Sequence, residues 1–329
     1  MASILVEEAR TFASILAKRL LPVKVTDSLR KAHQKRKRQK LRDIVQPPAI
    51  SRDRLAEDLR SLGLARGRDV LIHSALSTLG PLEKGAETLV GAIMDVAGPE
   101  ATLLAPAYPM PGTMHEWMLM PEPFNVEETR SRMGAFTEYL RKLPGARRSA
   151  HPTHSMAAYG PRAQEYTAEH HLGGTPTDSR SPFHKHVEND GQIVCIGTGV
   201  GKITSYHVIE DCMAAFPIAV YLDKPESKVV EFGDGRRVTV TTRVNNPALS
   251  PWRVDNFKPK EMEIYRRLIS EGVAREGKVG LAVSHIMDAK DLFAATRRWA
   301  EQGITIYHLP ALSSGVRLVG KAFGKSRAY

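Results

Sequence analysis

The stretch SRDRLAEDLRSLGLARGRDVLIHSALSTLG, residues 51–80, decides the fold class. Ser51 suits an N-cap, because its hydroxyl can accept a hydrogen bond from an early backbone amide. Apolar residues then recur at helical spacing as far as Leu62, and Gly63 supplies the stop. Residues 69–73, DVLIH, follow as a short apolar run of the kind that forms a strand buried on both faces. A helix feeding a buried strand, with small hydroxyl residues directly after it, predicts an α/β layer whose ligands meet the carboxyl ends of the strands.

The alternation continues downstream. Glycine, proline and asparagine breaks delimit a helix over 86–97, a strand over 102–106, a helix over 132–143 behind Ser131 and a strand over 156–159. A helix over 162–170, a strand over 192–197 and a short helix from about 203 to 212 come next. After Pro217 the texture changes to a β-rich part, about 217–258. Candidate strands there lie at 218–222, 228–232 and 236–243, the last two joined as a hairpin by Gly233-Asp234-Gly235. Helices at 260–270 and 288–302 flank one further strand at 278–283. The expected architecture is a layered sheet with flanking helices plus a smaller β-rich subregion.

Composition narrows the classes. With 42% hydrophobic and 25% charged residues in 329, the chain is of ordinary globular type, and no apolar stretch approaches the roughly 18 residues that a membrane span needs. No signal-peptide pattern opens it, so a cytoplasmic location is expected. Cys195 and Cys212 form no CxxC motif and read as packed thiols. The net charge of +11 is uneven, because residues 1–46 hold twelve Lys and Arg against Glu7, Glu8, Asp27 and Asp43, a local +8.

That N-terminal extension combines an amphipathic helix over 3–21 with the cationic run KAHQKRKRQKLR, residues 31–42, and Pro47 and Pro48 link it to the domain spanning 47–329. A solvated helical appendage is one reading. Peripheral contact with an anionic membrane, at its inner face, is another, since an apolar face and a polybasic run are the two signals that such docking uses. Nucleic acid is not expected as a partner, because no recognition fold or interleaved aromatic residues accompany the charge.

Four clusters carry chemistry. HSALSTLG, residues 73–80, sets hydroxyls and backbone amides at a strand end, although serine-rich turns are commonly only turns. RRSAHPTHS, residues 147–155, pairs guanidinium groups with imidazoles. In TSYHVIE, residues 204–210, His207 and Glu210 are three apart, so on a helix the carboxylate can orient the ring as a general base. His151, His154, His170, His171, His184 and His186 raise the question of a metal, but without HExxH spacing or a cysteine cluster none is expected. No P-loop, GxGxxG or GxSxG motif is present.

Taken in order, DVLIHSALSTLG (69–80), KGAETLVGAIMDVAGPEATLLAPAY (84–108), FNVEETRSRMGAFTEYLRKLPGARRSAHPTHSMAAYGPRA (124–163), SP (181–182), GQIVCIGTG (191–199) and TSYHVIE (204–210) resemble the aminoglycoside 3-N-acetyltransferase family, which is distinct in fold from the GNAT acetyltransferases. The resemblance spans about 50–310. It implies an acyl-CoA-dependent N-acyltransferase with acetyl-CoA as cosubstrate and an amine-bearing sugar as acceptor. His73, Ser74, Leu76, Ser77, Thr78 and Leu79 would belong to the CoA pocket, with Arg148 and Ser149 as further contacts. His207, oriented by Glu210, would take the proton of the attacking amine, Thr204 would lie near the thioester carbonyl, and His151 would support the site or carry a second proton. A homo-oligomer is compatible with this reading.

One departure bears on the acceptor. Residues 173–186, GGTPTDSRSPFHKH, carry Arg180 and Lys185 against the single acid Asp178, a poor surface for a polycationic drug. The charge therefore favours a nucleotide- or lipid-linked amino sugar, as in polysaccharide biosynthesis, over antibiotic resistance by aminoglycoside 3-N-acetylation. A metal-dependent hydrolase using His151, His154, His184 and His186 is a more remote alternative, and a non-catalytic binding protein using the basic arm a third.

Overall fold

The computed structural model describes residues 48–309, together with positions 6, 9 and 13 near the N-terminus. The helix expected over 3–21 and the basic run 31–42 fall outside the described residues, apart from those three positions, which are helical and exposed. No helix among the described residues is long and apolar enough to cross a membrane.

The chain forms a three-layer α/β sandwich. Its seven-stranded sheet has the order β4-β5-β2-β1-β6-β10-β9, with β1 Val70–Ser74, β2 Leu103–Pro106, β4 Arg147–Arg148, β5 Met156–Tyr159, β6 Gln192–Ile196, β9 Ala274–Val279 and β10 Ala282–Asp288. Strand β1 runs parallel to both β2 and β6, and every other pairing is antiparallel. Alternate residues of the central strands serve two cores, as the period of two requires. Val70, Ile72, Val194 and Ile196 pack with Leu55 and Leu59 of α1 (Arg52–Leu62) and with Leu89 and Ile93 of α2 (Ala86–Ala97). Leu71, Ile193 and Cys195 pack on the opposite face with Phe183, Tyr206, Leu268 and Trp299.

The opening stretch forms as its chemistry predicts. Ser51 Oγ accepts from Arg54 N at 3.2 Å, and α1 ends at Gly63, whose φ of 104° lies in the left-handed region that favours glycine. Elsewhere boundaries move. The helix expected over 132–143 is shortened to α4, Ala135–Leu140, because Gly134 takes φ 106° and Glu138 folds back on Ser131 N at 2.5 Å. The helix over 162–170 becomes α5, Ala163–Thr167, followed by a 3-10 turn at His170–Leu172.

Two strand expectations are corrected. The single strand at 278–283 is a hairpin of β9 and β10 turning at Gly280 (φ 58°), which extends the main sheet beyond β6. Residues 218–222 form no strand: only Tyr221 bridges to Asn245, with Leu222 N and Asn246 N bonded across, before the chain turns at Asp223-Lys224-Pro225. The β-rich part holds the hairpin β7 Glu226–Glu231 and β8 Arg237–Thr242, joined by β3 Phe124–Asn125 into a three-stranded sheet. Beyond β8 the chain makes 3-10 turns, Pro247–Trp252 and Val254–Asn256. The short helices α3 Met114–Leu119 and α6 Pro182–Glu188 are additional, and Ser181 caps the latter by accepting from His184 N. Cys195 is a packed thiol, pushed up to about 12 by burial, whereas Cys212 at the end of α7 (Val208–Cys212) is exposed and corrects the expectation of two packed thiols.

Candidate active site

After β6 the chain turns twice as 3-10 helix, at Val200–Lys202 and Thr204–His207, before entering α7. The change from 3-10 to α geometry keeps His207 and Glu210 on one face. Nδ1 of His207 lies 2.8 Å from Glu210 Oε1, with the carboxylate wholly buried and the imidazole side chain 12% exposed. Tyr307 Oη donates to the same carboxylate oxygen at 3.0 Å. Arg253 Nη1 donates to His207 Nε2 at 2.7 Å. A guanidinium can only donate, so Nε2 is the acceptor nitrogen, and the ring proton sits on Nδ1 and is given to Glu210.

Thr204, the first residue of the second turn, accepts from Tyr108 Oη at 2.9 Å, and burial holds that phenol protonated well above its usual range. Against Tyr108 lies the ring of His154, at 4.7 Å between centroids. Burial, then the nearby charges of His207, His170 and Arg253, depress His154 well below the ordinary histidine range. The histidine packed on the Tyr108–Thr204 contact is therefore His154, whereas His151, expected to support the site, is placed deeper. His151 is wholly buried, stacked on His170 at 4.6 Å, with Nδ1 accepting from His154 N and Nε2 bonded to Thr242 Oγ1 at 3.2 Å. Both of its nitrogens are spent, so it braces the 151–155 loop against β8.

At the end of β1, Leu76–Thr78 makes one 3-10 turn, with Ser77 and Thr78 exposed and Ser74 and Leu76 partly so. Gly197, at the end of the neighbouring β6, adopts φ 64°, and a Cβ there would overlap Thr78 Oγ1, so glycine allows the two strand ends to meet. These hydroxyls suit hydrogen bonding to a polar ligand. Two expected contacts are corrected. The side chain of Leu79 is wholly buried in the core, and the amides of Ala75, Thr78 and Leu79 are bonded to protein carbonyls. His73 is buried on the Leu71 side of the sheet and held neutral down to about 4 by burial, then by His186.

Arg148 and Ser149 are corrected as well. The Arg148 guanidinium donates to Ser155 Oγ and to the carbonyls of Val126, Thr129 and Ala107, and it lies over Phe124 at 4.8 Å. Ser149 is wholly buried between His170 Nδ1 and Met156 N, each at 2.8 Å. Arg148 thus ties the small sheet to the large one, Ser149 ties His170 to β5, and the polar side-chain atoms of both are engaged within the protein. The four histidines of the hydrolase alternative are not brought together: His184 sits 3.5 Å from Glu188, and His186 faces Asp69 O. Among the described residues no group of three or more His, Cys, Asp or Glu is arranged to hold a metal.

A cleft of about 330 Å³ opens beside Glu210, walled by Ile218, Tyr221, Asp223 and Arg243. The charges of 173–186 do not face it freely. Asp178 accepts from Gly174 N and Arg180 N, Arg180 donates to Leu172 O, and Lys185 is bound to Glu169 at 3.0 Å, so these side chains are held by local contacts. Arg253, Tyr307 and Tyr108 have no role that the sequence suggests, and His154 has one only as a metal ligand of the hydrolase alternative. Arg253 and Tyr307 carry no motif, and the partners of Arg253, Tyr307 and Tyr108 lie 46, 97 and 96 residues away.

With this geometry in place, comparison with known proteins is informative. The profile of the family described as aminoglycoside 3-N-acetyltransferase matches residues 71–301. Aminoglycoside N(3)-acetyltransferase VII of Streptomyces paromomycinus is 30% identical over 270 residues, 77% of this chain and 92% of that protein. Aminoglycoside N(3)-acetyltransferase III of a Salmonella species is 30% identical over 255 residues, 74% and 88% of the two chains. Among solved structures, AAC-IIIb in a binary complex with CoASH aligns with TM-score 0.67 and 26% identity, covering 80% of this chain and 99% of that one. AAC-VIa bound to sisomicin aligns at 0.63 and 29%, covering 78% and 99%. The chain belongs to the aminoglycoside 3-N-acetyltransferase family and is an acyl-CoA-dependent N-acyltransferase.

Proposed function

We propose that the protein acetylates the 3-amino group of aminoglycosides with acetyl-CoA, using His207 as general base. The observation that carries the reading is the His207–Glu210 pair at 2.8 Å, whose Glu210 borders a cleft, in a chain of this family. The preference for a nucleotide- or lipid-linked acceptor is withdrawn. The charge behind it is partly engaged locally, Arg180 donating to Leu172 O and Lys185 to Glu169, and the relatives are named for aminoglycosides.

Acetyl-CoA supplies an acyl carbon already activated as a thioester. Thr204 and Tyr108 lie on the flank where its carbonyl would rest, and Ser74, Ser77 and Thr78 line the strand-end turn that would take the pantetheine and phosphates. The acceptor arrives as an ammonium and loses one proton to solvent. As the amine nitrogen bonds to the acyl carbon and the C–S bond breaks, Nε2 of His207 takes one of its two remaining protons, and the other stays on the amide. Glu210 steadies the imidazolium through Nδ1, and the proton then passes to the departing thiolate to give CoASH. Direct transfer of this kind needs no acyl-enzyme, and neither cysteine has the lowered pKa of an activated nucleophile.

The test is acetyl transfer by the purified full chain to sisomicin and kanamycin, read as thiol release, with the acetylated nitrogen located by NMR. Acetylation at N3 is expected, and His207→Ala should lower kcat about 100-fold or more. Turnover of neither drug, or an unchanged kcat in His207→Ala, would overturn the reading.

A further inference from the structure

The base described above is already occupied. Nε2 of a neutral imidazole has one lone pair, and here it accepts from Arg253 Nη1 at 2.7 Å, while Nδ1 is committed to Glu210. His207 therefore cannot receive a proton from an acceptor until Arg253 moves. The guanidinium has two other holds: Nη2 on the carbonyl of Gly201 at 3.1 Å and Nε on Asp255 Oδ1 at 3.2 Å. Asp255 is nearly buried and also binds Lys202, so it is a fixed anchor, whereas the Arg253 side chain is 23% exposed and has room to swing.

Placement of the arginine is built into the fold. Arg253 sits between two 3-10 turns and bridges in antiparallel fashion to Tyr307, the residue that donates to Glu210. One backbone bridge thus delivers a donor to each end of the His207–Glu210 pair. The acceptor amine presents the same chemistry as Arg253, a positively charged N–H group, and two cations cannot share a single lone pair. Their mutual repulsion makes the exchange all-or-none.

We infer that Arg253 is a displaceable internal cation: in the resting enzyme it caps the base, its Nη1 marks the place that the acceptor nitrogen takes, and it withdraws on its Asp255 hinge when an aminoglycoside enters. This rests on the reading of His207 as the base. Arg253 acts through His207 and is a positioning and specificity residue, since an acceptor without a cation beside its reactive nitrogen has less to displace it with.

The test uses the full chain with two substitutions, Arg253→Met and Arg253→Lys, in acetyl transfer from acetyl-CoA to sisomicin. A competing cap lowers apparent affinity by the fraction of enzyme left uncapped, so Arg253→Met should lower the sisomicin KM about 5- to 10-fold, with the gain in KM rather than in kcat. Arg253→Lys restores a charged donor and should return KM toward that of the parent. A raised or unchanged KM in Arg253→Met, or a kcat lost in both variants, would show that Arg253 stays in place and serves the reaction directly, overturning the inference. Nitrogen-15 NMR of labelled histidine, assigned with His207→Asn, reads the contact without any acceptor. The Nε2 signal of His207 should move downfield in Arg253→Met as the hydrogen bond is lost, and an unmoved signal refutes the cap. If the parent enzyme turns over no aminoglycoside, the functional reading fails by itself, and the spectrum still decides whether Arg253 holds the base.

Discussion

The side chains around His207 divide the work by what each atom can still do. Glu210 accepts from both His207 Nδ1 and Tyr307 Oη on a single oxygen. Replacing Glu210 with Gln keeps a polar partner but removes the negative charge that steadies the imidazolium, and kcat should fall by about 10- to 100-fold. Tyr307→Phe deletes one hydrogen bond worth about 1 kcal/mol and should cost about fivefold. Steady-state kinetics at saturating acetyl-CoA separates the two. A Tyr307→Phe enzyme as impaired as Glu210→Gln would mean that the phenol does more than orient the carboxylate. At this scale the sequence was informative for one pair only. His207 and Glu210 are three residues apart, within the reach of a helical turn. His151 and His154 share a motif, and nothing local says which ring meets Thr242 and which packs on Tyr108.

Among the elements, the small sheet and the large one are tied together by a buried cation. Arg148 starts in β4 and reaches the carbonyls of Val126 and Thr129 beside β3, and that of Ala107 after β2. Burial, then the neighbouring Arg141, lowers its guanidinium to about 9, so desolvation is a real cost that its four acceptors must offset. Arg148→Met recovers that desolvation but strands buried carbonyls, and the second effect wins. The variant should lose about 2–4 kcal/mol of stability in urea unfolding. The acetyl-CoA KM, measured well below the unfolding transition, should not move. A raised KM in a protein of unchanged stability would restore Arg148 to the CoA pocket. Helix and strand types were largely legible, since caps, glycine stops and apolar periodicity act within a few residues. The missed hairpin at 274–288 shows the limit: Gly280 and Leu281 interrupt what read as one strand, and only pairing of β10 with β6 gives both halves a partner.

For the whole molecule, the unusual load is neutral histidine. His73, His151, His154, His170 and His186 are all buried, and burial is the largest cause of each lowered pKa, to about 4 for His73 and His186 and about 3 for His170. In the unfolded chain these rings protonate near pH 6.5, whereas in the fold they resist until much lower pH. Between those limits the unfolded state binds more protons, so stability is complete above pH 6.5 and falls as the pH drops toward 4. Each ring contributes up to about 1.4 kcal/mol per pH unit in that window. Urea midpoints at pH 7.5, 6 and 5 should decline steeply, and a flat profile across that range would mean that the rings are hydrated or already charged in the fold.

The sequence by itself determined what neighbours along the chain decide: the capped helix over 52–62, the two-faced strand after it, the strand-end turn of small hydroxyls, and a carboxylate one helical turn from His207. The tertiary structure alone decided which side chains stand at the reacting nitrogen. Arg253, Tyr307 and Tyr108 reach the site from segments 46 to 97 residues distant from their partners. The same packing engages the polar atoms of Arg148, Ser149 and His151 with partners elsewhere in the fold. Periodicity reports which face a residue occupies, but a buried polar atom must find its partner across the core, and that partner is fixed only when the layers close.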